Sequence, residues 1–240
     1  MKPPLRIVIS LVFVALAGFT QSAWGTRPTA VLVGLAGRDS CQGVGPHQTV
    51  HARRVKQLIP LLKDVGYTEV DSLYVCFDRY DYLQGGIRFN SSLAANLIYT
   101  GYLQHVEATL DSLTREKEVD VFIVGYSYGG WLAMRLVQRV ALSHAETHLF
   151  SIDPISAKFC GPSEVIFGGN GCKQAPQDLS AKSIVSKTRS WTNFFQTESD
   201  WIHSSAISGA KNYRLYTGHT SIDDAASVWN SIRARITSGL

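Results

Sequence analysis

The chain has 240 residues, of which 45% are hydrophobic and 18% are charged, and it contains four cysteines. That length and apolar content suffice for one sizeable core in a single α/β unit. The formal charge of +4 comes from lysines and arginines that stand singly, apart from Arg53 and Arg54, so the sequence does not predict a nucleic-acid partner.

The first 25 residues differ in composition from the rest. Two basic residues precede an apolar run over residues 7–19, and Ala23 and Gly25 supply the small side chains that a signal peptidase reads. The run is short against the roughly 20 residues that span a bilayer. We therefore expect a signal peptide over residues 1–25 rather than an uncleaved anchor, and a secreted or periplasmic single domain over residues 26–240.

The next elements predict alternating strands and helices. Residues 29–34 form an apolar strand, and residues 50–65 carry apolar side chains at helical spacing with a kink expected at Pro60. Residues 71–77 predict a second strand, and residues 93–115 predict a long amphipathic helix. This alternation is typical of an α/β domain with a parallel sheet.

The stretch around Ser127 is the strongest local signal. Residues 119–124 are apolar almost without a break, as in a strand that is covered on both faces. Ser127 lies in the pentapeptide Gly-Tyr-Ser-Tyr-Gly, and an apolar-periodic helix follows. The glycines let strand and helix approach closely, and the serine hydroxyl is then exposed at the helix N-terminus. The Tyr128 backbone N–H would point at an oxyanion that forms when this hydroxyl attacks a carbonyl.

Two aspartates follow the next two predicted strands. Asp153 and Pro154 end the strand after the serine-bearing helix, and Asp200 follows the strand over residues 190–196. Both should lie at the carboxyl edge of a parallel sheet, where Ser127 is also expected. Pro154 fixes the exit of the chain and favours Asp153 as an acid that orients a histidine, with Asp200 as the alternative acid.

The last strand, residues 212–216, leads to His219 in a loop before a C-terminal helix. Among seven histidines only His219 has this setting, which suits a general base. Ser221 is expected to cap the C-terminal helix. His148 and His203 are expected at a strand surface and in a loop, because neither ends a strand.

The Gly-x-Ser-x-Gly turn and the chain order Ser127, Asp153, His219 resemble the α/β-hydrolases, in particular secreted serine esterases and lipases. The resemblance implies a mostly parallel sheet of about six strands with helices on both faces. It also implies that Ser127 is the nucleophile, His219 the base and Asp153 the acid, as in pancreatic-type lipases. The amides of Tyr128 and Leu35 would form the oxyanion hole.

Four cysteines in an exported chain allow two disulfides. Cys160 and Cys172 flank a loop rich in glycine and proline and form the easier pair. Cys41 follows the first strand and Cys76 lies late in the second. These strands would be neighbours in a hydrolase sheet, so the two cysteines are the candidates for a second bridge. A buried free thiol is the alternative for Cys76.

The predicted function is the hydrolysis of carboxylic esters, with a small-molecule or lipid ester as substrate. An amidase or peptidase with the same triad, and a catalytically silent binding protein, remain open alternatives. No spaced set of ligands resembles a zinc site, and the glycine-rich residues 168–171 lack the lysine of a phosphate loop, so neither a metal nor a cofactor is expected. Residues 157–187, the expected cover of the site, are polar and favour a modest acyl pocket.

Overall fold

The computed structural model describes residues 29–37, 48–76, 95–115, 118–140, 145–156, 173–198 and 202–239. Strands and helices alternate along these segments. The strands are β1 (Thr29–Leu35), β2 (Glu69–Val75), β3 (Val119–Tyr126), β4 (Ala145–Ile152), β5 (Ser190–Gln196) and β6 (Lys211–Leu215). The helices are α1 (Val50–Lys56), α2 (Leu58–Asp64), α3 (Ala95–Thr114), α4 (Tyr128–Arg139), α5 (Ala181–Val185), α6 (His219–Ile222) and α7 (Ala226–Thr237).

The six strands form one sheet in the order β2-β1-β3-β4-β5-β6, and every pair is parallel. The chain moves outward from β1 to β2, returns to β3 beside β1, and then proceeds outward through β6. The order reverses between β1 and β3, and ligands of open α/β sheets bind at the carboxyl ends of the strands at such a switch point. The predicted α/β class, with a mostly parallel sheet of about six strands and helices on both faces, is confirmed.

Two apolar layers hold the helices on the two faces of the sheet. One layer joins the sheet to α3, α4 and α5 and includes the fully buried Trp131, and the other joins it to α1, α2 and α7 and includes Trp229. Consecutive residues of β1 and β3 contribute to opposite layers, which is why both strands are apolar without a break. Burying one large apolar side chain contributes about 1.5–3 kcal/mol.

The single kinked helix predicted over residues 50–65 is wrong. The chain forms α1 and α2, which are separated at Gln57. Pro60 has no N–H to donate to the carbonyl of Lys56, and its ring would clash with that carbonyl if one helix continued. The break therefore falls before the proline, where α1 ends.

Two further local predictions are wrong. Ser221 lies within the short helix α6 and does not cap the C-terminal helix, because α7 begins after Ala225. His148 was expected at the surface, but it is buried, with its ring stacked on Phe122 at a centroid distance of 4.8 Å. A strand that is covered on both faces has no surface position to offer a histidine at its centre.

Several predictions fall on residues outside the described segments. These are the signal peptide over residues 1–25 and the cysteines at 41, 160 and 172. Cys76 is described, and it is buried and is not a free thiol, so the free-thiol alternative is wrong. The disulfide pairings stay predictions. No helix in the described part of the chain is both long and apolar enough to cross a membrane.

Candidate active site

Ser127 sits on a sharp turn between β3 and α4. The prediction that the serine is exposed is wrong, because the chain at Gly37 lies against it and Ser127 is only 4% exposed. Its backbone has φ 55° and ψ −123°, and among the described non-glycine residues only Ser127 and Asp153 have a positive φ. Such a conformation costs on the order of 1–3 kcal/mol and persists where the surroundings fix it. Here Ser127 N–H donates to the Ile152 carbonyl at 2.9 Å, and Ile155 N–H donates to the Ser127 carbonyl at 3.1 Å. The end of β4 thus holds the turn in place.

The glycines beside Ser127 are required by close backbone approach. A Cβ atom on Gly125 would lie 2.4 Å from the Gly129 carbonyl oxygen, and a Cβ atom on Gly129 would lie 2.0 Å from the Leu35 carbonyl oxygen. Both distances are too short for any side chain. The spacing of glycines in the sequence therefore reflects the contact of α4 with β3 and β1.

Three side chains meet at the carboxyl edge of the sheet: Ser127, His219 and Asp153, here called the carboxyl-edge triad. Ser127 Oγ lies 3.0 Å from His219 Nε2, and His219 Nδ1 lies 2.7 Å from Asp153 Oδ2. Asp153 is fully buried, whereas the His219 side chain keeps 11% of its surface exposed. An N–H on Nδ1 donates to the carboxylate, which leaves Nε2 to accept the serine proton.

The Asp153 carboxylate is held on both oxygens. Oδ1 accepts the Ser204 N–H at 2.7 Å, and Oδ2 accepts from Gln196 Nε2 at 2.8 Å in addition to His219. The Asp153 N–H donates to the Phe194 carbonyl at 2.7 Å, and this bond fixes the backbone at φ 42°. Sequence reasoning missed Gln196 and Ser204; the one available signal was that Gln196 ends the neighbouring strand at the same edge.

Tyr126, the last residue of β3, contacts His219 in two ways. Its hydroxyl donates to the His219 carbonyl at 2.7 Å, and the two rings stack with centroids 5.3 Å apart at an interplanar angle of 29°. Burial raises the pKa of Tyr126, and the negative charges of Asp223 and Asp153 raise it further, so the hydroxyl stays protonated and donates. The sequence analysis did not assign Tyr126 a role.

The two predicted oxyanion donors lie near the turn. Tyr128 is the first residue of α4, where backbone N–H groups have no partner within the helix. Leu35 is the last residue of β1 and is paired with strands on both sides. Two residues further on, a Cβ atom on Gly37 would lie 3.1 Å from Ser127 Cβ, so this loop passes directly over the serine. The donor roles of Tyr128 and Leu35 stay predictions.

The alternative acid, Asp200, lies outside the described residues. Its described neighbour Glu198 is exposed and faces Arg214, with 3.5 Å between the charged atoms. His203 lies in the loop before Ser204, and its Nδ1 is 3.1 Å from the Ser204 carbonyl oxygen. Neither Glu198 nor His203 contacts the carboxyl-edge triad through a described hydrogen bond.

A second polar group lies at the opposite, amino edge of the same two strands: Asp120, Glu146 and His148, here called the amino-edge cluster. Within the described segments it is the one group of three possible metal ligands, with ligand atoms within 4.8 Å of one another. Asp120 accepts a hydrogen bond from the Tyr67 hydroxyl at 2.5 Å, and His148 Nδ1 lies 3.0 Å from Ser190 Oγ. Asp120 and His148 are buried, whereas the Glu146 side chain is 43% exposed, and no ion is assigned to the cluster.

A cavity of about 420 Å³ also lies toward the amino half of the sheet. Its walls include Leu110 from α3, Ile123 from β3 and Leu136 from α4, and its rim carries Glu146 and Arg189. None of its lining residues belongs to the carboxyl-edge triad, so the cavity is not assigned to the reaction.

Comparison with known proteins adds a distant structural neighbour. No protein-family model matches the chain, and no curated protein matches it. A solved structure from Xanthomonas campestris pv. campestris, named as a proposed hydrolase of the alpha/beta superfamily, is similar with 16% identity and a TM-score of 0.49. The match covers 88% of this chain and 96% of that chain. At this identity the neighbour informs neither the reaction nor the substrate.

Proposed function

We propose that the protein is a serine hydrolase that cleaves carboxylic esters. The observation that carries this proposal is the continuous hydrogen-bonded series from Ser127 Oγ to His219 at 3.0 Å and from His219 to Asp153 at 2.7 Å. A serine hydroxyl is a weak nucleophile unless a base lies within hydrogen-bond reach and is itself oriented by a third group. Both conditions are met on a backbone that is strained at Ser127 and Asp153.

The reaction proceeds in two halves. In the first, His219 Nε2 takes the hydroxyl proton as Ser127 Oγ bonds to the ester carbonyl carbon, and the tetrahedral oxyanion points at the amides of Tyr128 and Leu35. The C–O bond to the alcohol then breaks, and His219 returns the proton to the leaving oxygen. In the second half a water molecule gives a proton to His219 as its oxygen bonds to the acyl carbon. The bond from that carbon to Ser127 Oγ then breaks, His219 returns the proton to Oγ, and the carboxylic acid is released.

Asp153 orients the base throughout both halves. Its Oδ2 accepts the Nδ1 proton of His219 at 2.7 Å and so fixes the tautomer that leaves Nε2 free to accept. Gln196 donates to the same carboxylate oxygen, and the Ser204 N–H donates to the other one. The imidazolium that forms after proton transfer is stabilised by this buried negative charge.

The same chemistry would cleave an amide, so an amidase or peptidase is the second candidate. The segment expected to cover the site, residues 157–187, is polar in sequence and favours a modest acyl pocket over one for long-chain lipids. The apolar segment at the N-terminus supports export, and we place the activity in the periplasm or outside the cell.

A substrate panel tests the proposal. Purified protein is assayed with p-nitrophenyl esters of rising acyl length and with a p-nitroanilide peptide, beside the Ser127→Ala variant and a Ser221→Ala control. Ser221 is exposed and lies two residues from His219. We expect Ser127-dependent ester turnover that declines for long acyl chains. Faster turnover of the anilide would favour the peptidase, and no turnover of any substrate would favour a silent binding protein.

A further inference from the structure

A second buried histidine–aspartate pair lies behind the carboxyl-edge triad. His51, in the first turn of α1, points between β3 and α6 and is 2% exposed. Its Nδ1 lies 2.6 Å from Asp223 Oδ1, and its Nε2 lies 3.0 Å from the Val124 carbonyl oxygen. Asp223 is also buried and ends α6. The reaction steps described above do not use this pair.

Both ring nitrogens of His51 face acceptors. The Val124 carbonyl can only accept, so Nε2 carries a proton, and a second proton lies between Nδ1 and the Asp223 carboxylate. Burial alone would lower the pKa of His51. The charge and hydrogen bond of Asp223, together with the bond to Val124, outweigh burial and raise that pKa above its ordinary value. The raised pKa favours the imidazolium form of His51, paired with the buried carboxylate of Asp223.

The pair joins the element that carries the nucleophile to the element that carries the base. Val124 lies three residues before Ser127 on β3, and Asp223 closes the short helix that begins at His219. The Trp229 indole N–H donates to the Asp223 carbonyl at 2.6 Å, so Asp223 is also fixed from α7.

Tyr126 lies between the two imidazole rings. Its ring stacks on His51 with centroids 6.4 Å apart and on His219 with centroids 5.3 Å apart. Its hydroxyl holds the carbonyl of His219, while His51 holds the other end of α6 through Asp223. The short helix is thus tied to β3 at both of its ends.

We propose that His51 is a positioning residue that acts through Asp223 to set the distance between His219 Nε2 and Ser127 Oγ. The inference rests on the proposed function, because it concerns the same proton transfer. A helix of four residues has little rigidity of its own, and its placement depends on these ties. A misplacement of about 1 Å at a reacting pair can cost on the order of 10²-fold in rate.

Two substitutions separate the two bonds of His51. In His51→Asn the amide nitrogen stands near the position of Nδ1 and keeps a donor toward Asp223. In His51→Gln it stands near the position of Nε2 and keeps a donor toward Val124. Arg54→Gln is the matched control, because Arg54 Nε bonds Asp224 at 2.7 Å and joins the same two segments at the surface.

The variants are compared by kcat and KM for p-nitrophenyl butyrate and by circular dichroism. We expect His51→Gln to lower kcat about 10- to 100-fold with KM within about threefold of the parent. His51→Asn should lose less, and Arg54→Gln should stay within about twofold. If His51→Gln does not fold, Asp223→Asn is tested instead, because it removes the negative charge at nearly constant shape. The same fall in kcat is expected for it. A folded His51→Gln or Asp223→Asn protein with kcat within about twofold of the parent would overturn the proposal.

A second readout does not depend on activity. The low-field proton NMR signal of the His219 Nδ1–H, which is shared with Asp153, is recorded in the Ser127→Ala background with and without His51→Gln. Movement or loss of that signal supports displacement of His219, and an unchanged signal contradicts the positioning role. If the parent has no Ser127-dependent activity, the proposed function fails, and this signal still decides whether His51 positions His219.

Discussion

β3 and β4 carry a polar group at each end, and the two groups are built from similar residues. The carboxyl-edge triad and the amino-edge cluster each contain a histidine and at least one carboxylate, and both are largely buried. The two groups differ in backbone conformation. Ser127 and Asp153 have positive φ values, whereas the amino-edge cluster lies within regular strands. Residue type alone therefore does not distinguish the two ends of these strands.

Hydrogen-bond direction is the second difference. At the amino edge, Tyr67 donates to Asp120, His148 bonds Ser190 and stacks on Phe122, so these contacts stay within the core. At the carboxyl edge the Ser127 hydroxyl donates to His219 and His219 donates to Asp153, so the series begins at a serine hydroxyl on a turn. Substitutions at the carboxyl edge should thus remove activity, and substitutions at the amino edge should remove stability.

The largest expected effect is that of Ser127→Ala. Loss of the nucleophile should lower ester turnover by about 10⁴- to 10⁶-fold. The free energy of unfolding should change by only about 1 kcal/mol, because the substitution removes the hydrogen bond from the Ser127 hydroxyl to His219. Turnover is measured with the best p-nitrophenyl ester, and stability by urea titration. A purified variant with the parent's rate would contradict the assignment of the carboxyl edge to catalysis.

The next effect concerns the choice of acid. Asp153→Asn should lower turnover by about 10⁴-fold, because the amide favours the wrong tautomer of His219 without changing its position. Asp200→Asn, the matched change at the alternative acid, should cost less than about tenfold. The kcat values of the two variants are compared on one ester. The reverse pattern would transfer the acid role to Asp200.

A smaller effect is expected at the amino edge. Tyr67→Phe removes the hydroxyl that donates to the buried Asp120, and it should lower the free energy of unfolding by about 1–3 kcal/mol with kcat unchanged. Tyr216→Phe is the control, since Tyr216 is 81% exposed and should change stability by less than about 0.5 kcal/mol. A fall in kcat for Tyr67→Phe with an unchanged free energy of unfolding would contradict the assignment of activity to the carboxyl edge and stability to the amino edge.

The smallest effect is a pH dependence. The groups that face the His51 ring are Asp223 at the end of α6, the neutral Tyr126 from β3 and Trp229 from α7. Because the pKa of His51 is raised in the folded state, its contribution to stability is fully present below about 6.5, the ordinary value, and is lost as pH rises through the folded value. The difference in free energy of unfolding between the parent and His51→Asn should become smaller as pH rises through the folded-state pKa of His51. A difference that becomes larger would contradict the pairing of His51 with Asp223.

The sequence predicted what depends on local pattern. Apolar runs identified β1 and most of β3, and the ends of the predicted strands identified Ser127, Asp153 and His219, whose side chains lie within hydrogen-bond distance in the structure. His51 carried no local signal, and Gln196 carried only its position at a strand end, because their carboxylate partners lie 172 and 43 residues away in the chain. The positions of such supports depend on packing between distant segments, which periodicity does not encode.

The break between α1 and α2 shows that periodicity can also fail to predict a local feature. The helical periodicity of residues 50–65 is intact, but the missing N–H of Pro60 ends one helix before the next begins. Periodicity reports which face is buried, and it does not report whether the backbone hydrogen bonds continue.

Covalent labelling with a fluorophosphonate tests most directly whether the carboxyl-edge triad is reactive. Such a reagent bonds to a serine only when a base activates its hydroxyl. Labelled protein is digested and the modified peptide is identified by mass spectrometry, with His219→Ala, Tyr67→Phe and Ser221→Ala treated in parallel. We predict modification at Ser127 in the parent, in Tyr67→Phe and in Ser221→Ala, and its loss in His219→Ala. Absence of the label from Ser127 in the folded parent, or equal labelling of His219→Ala, would contradict a catalytic Ser127–His219 pair.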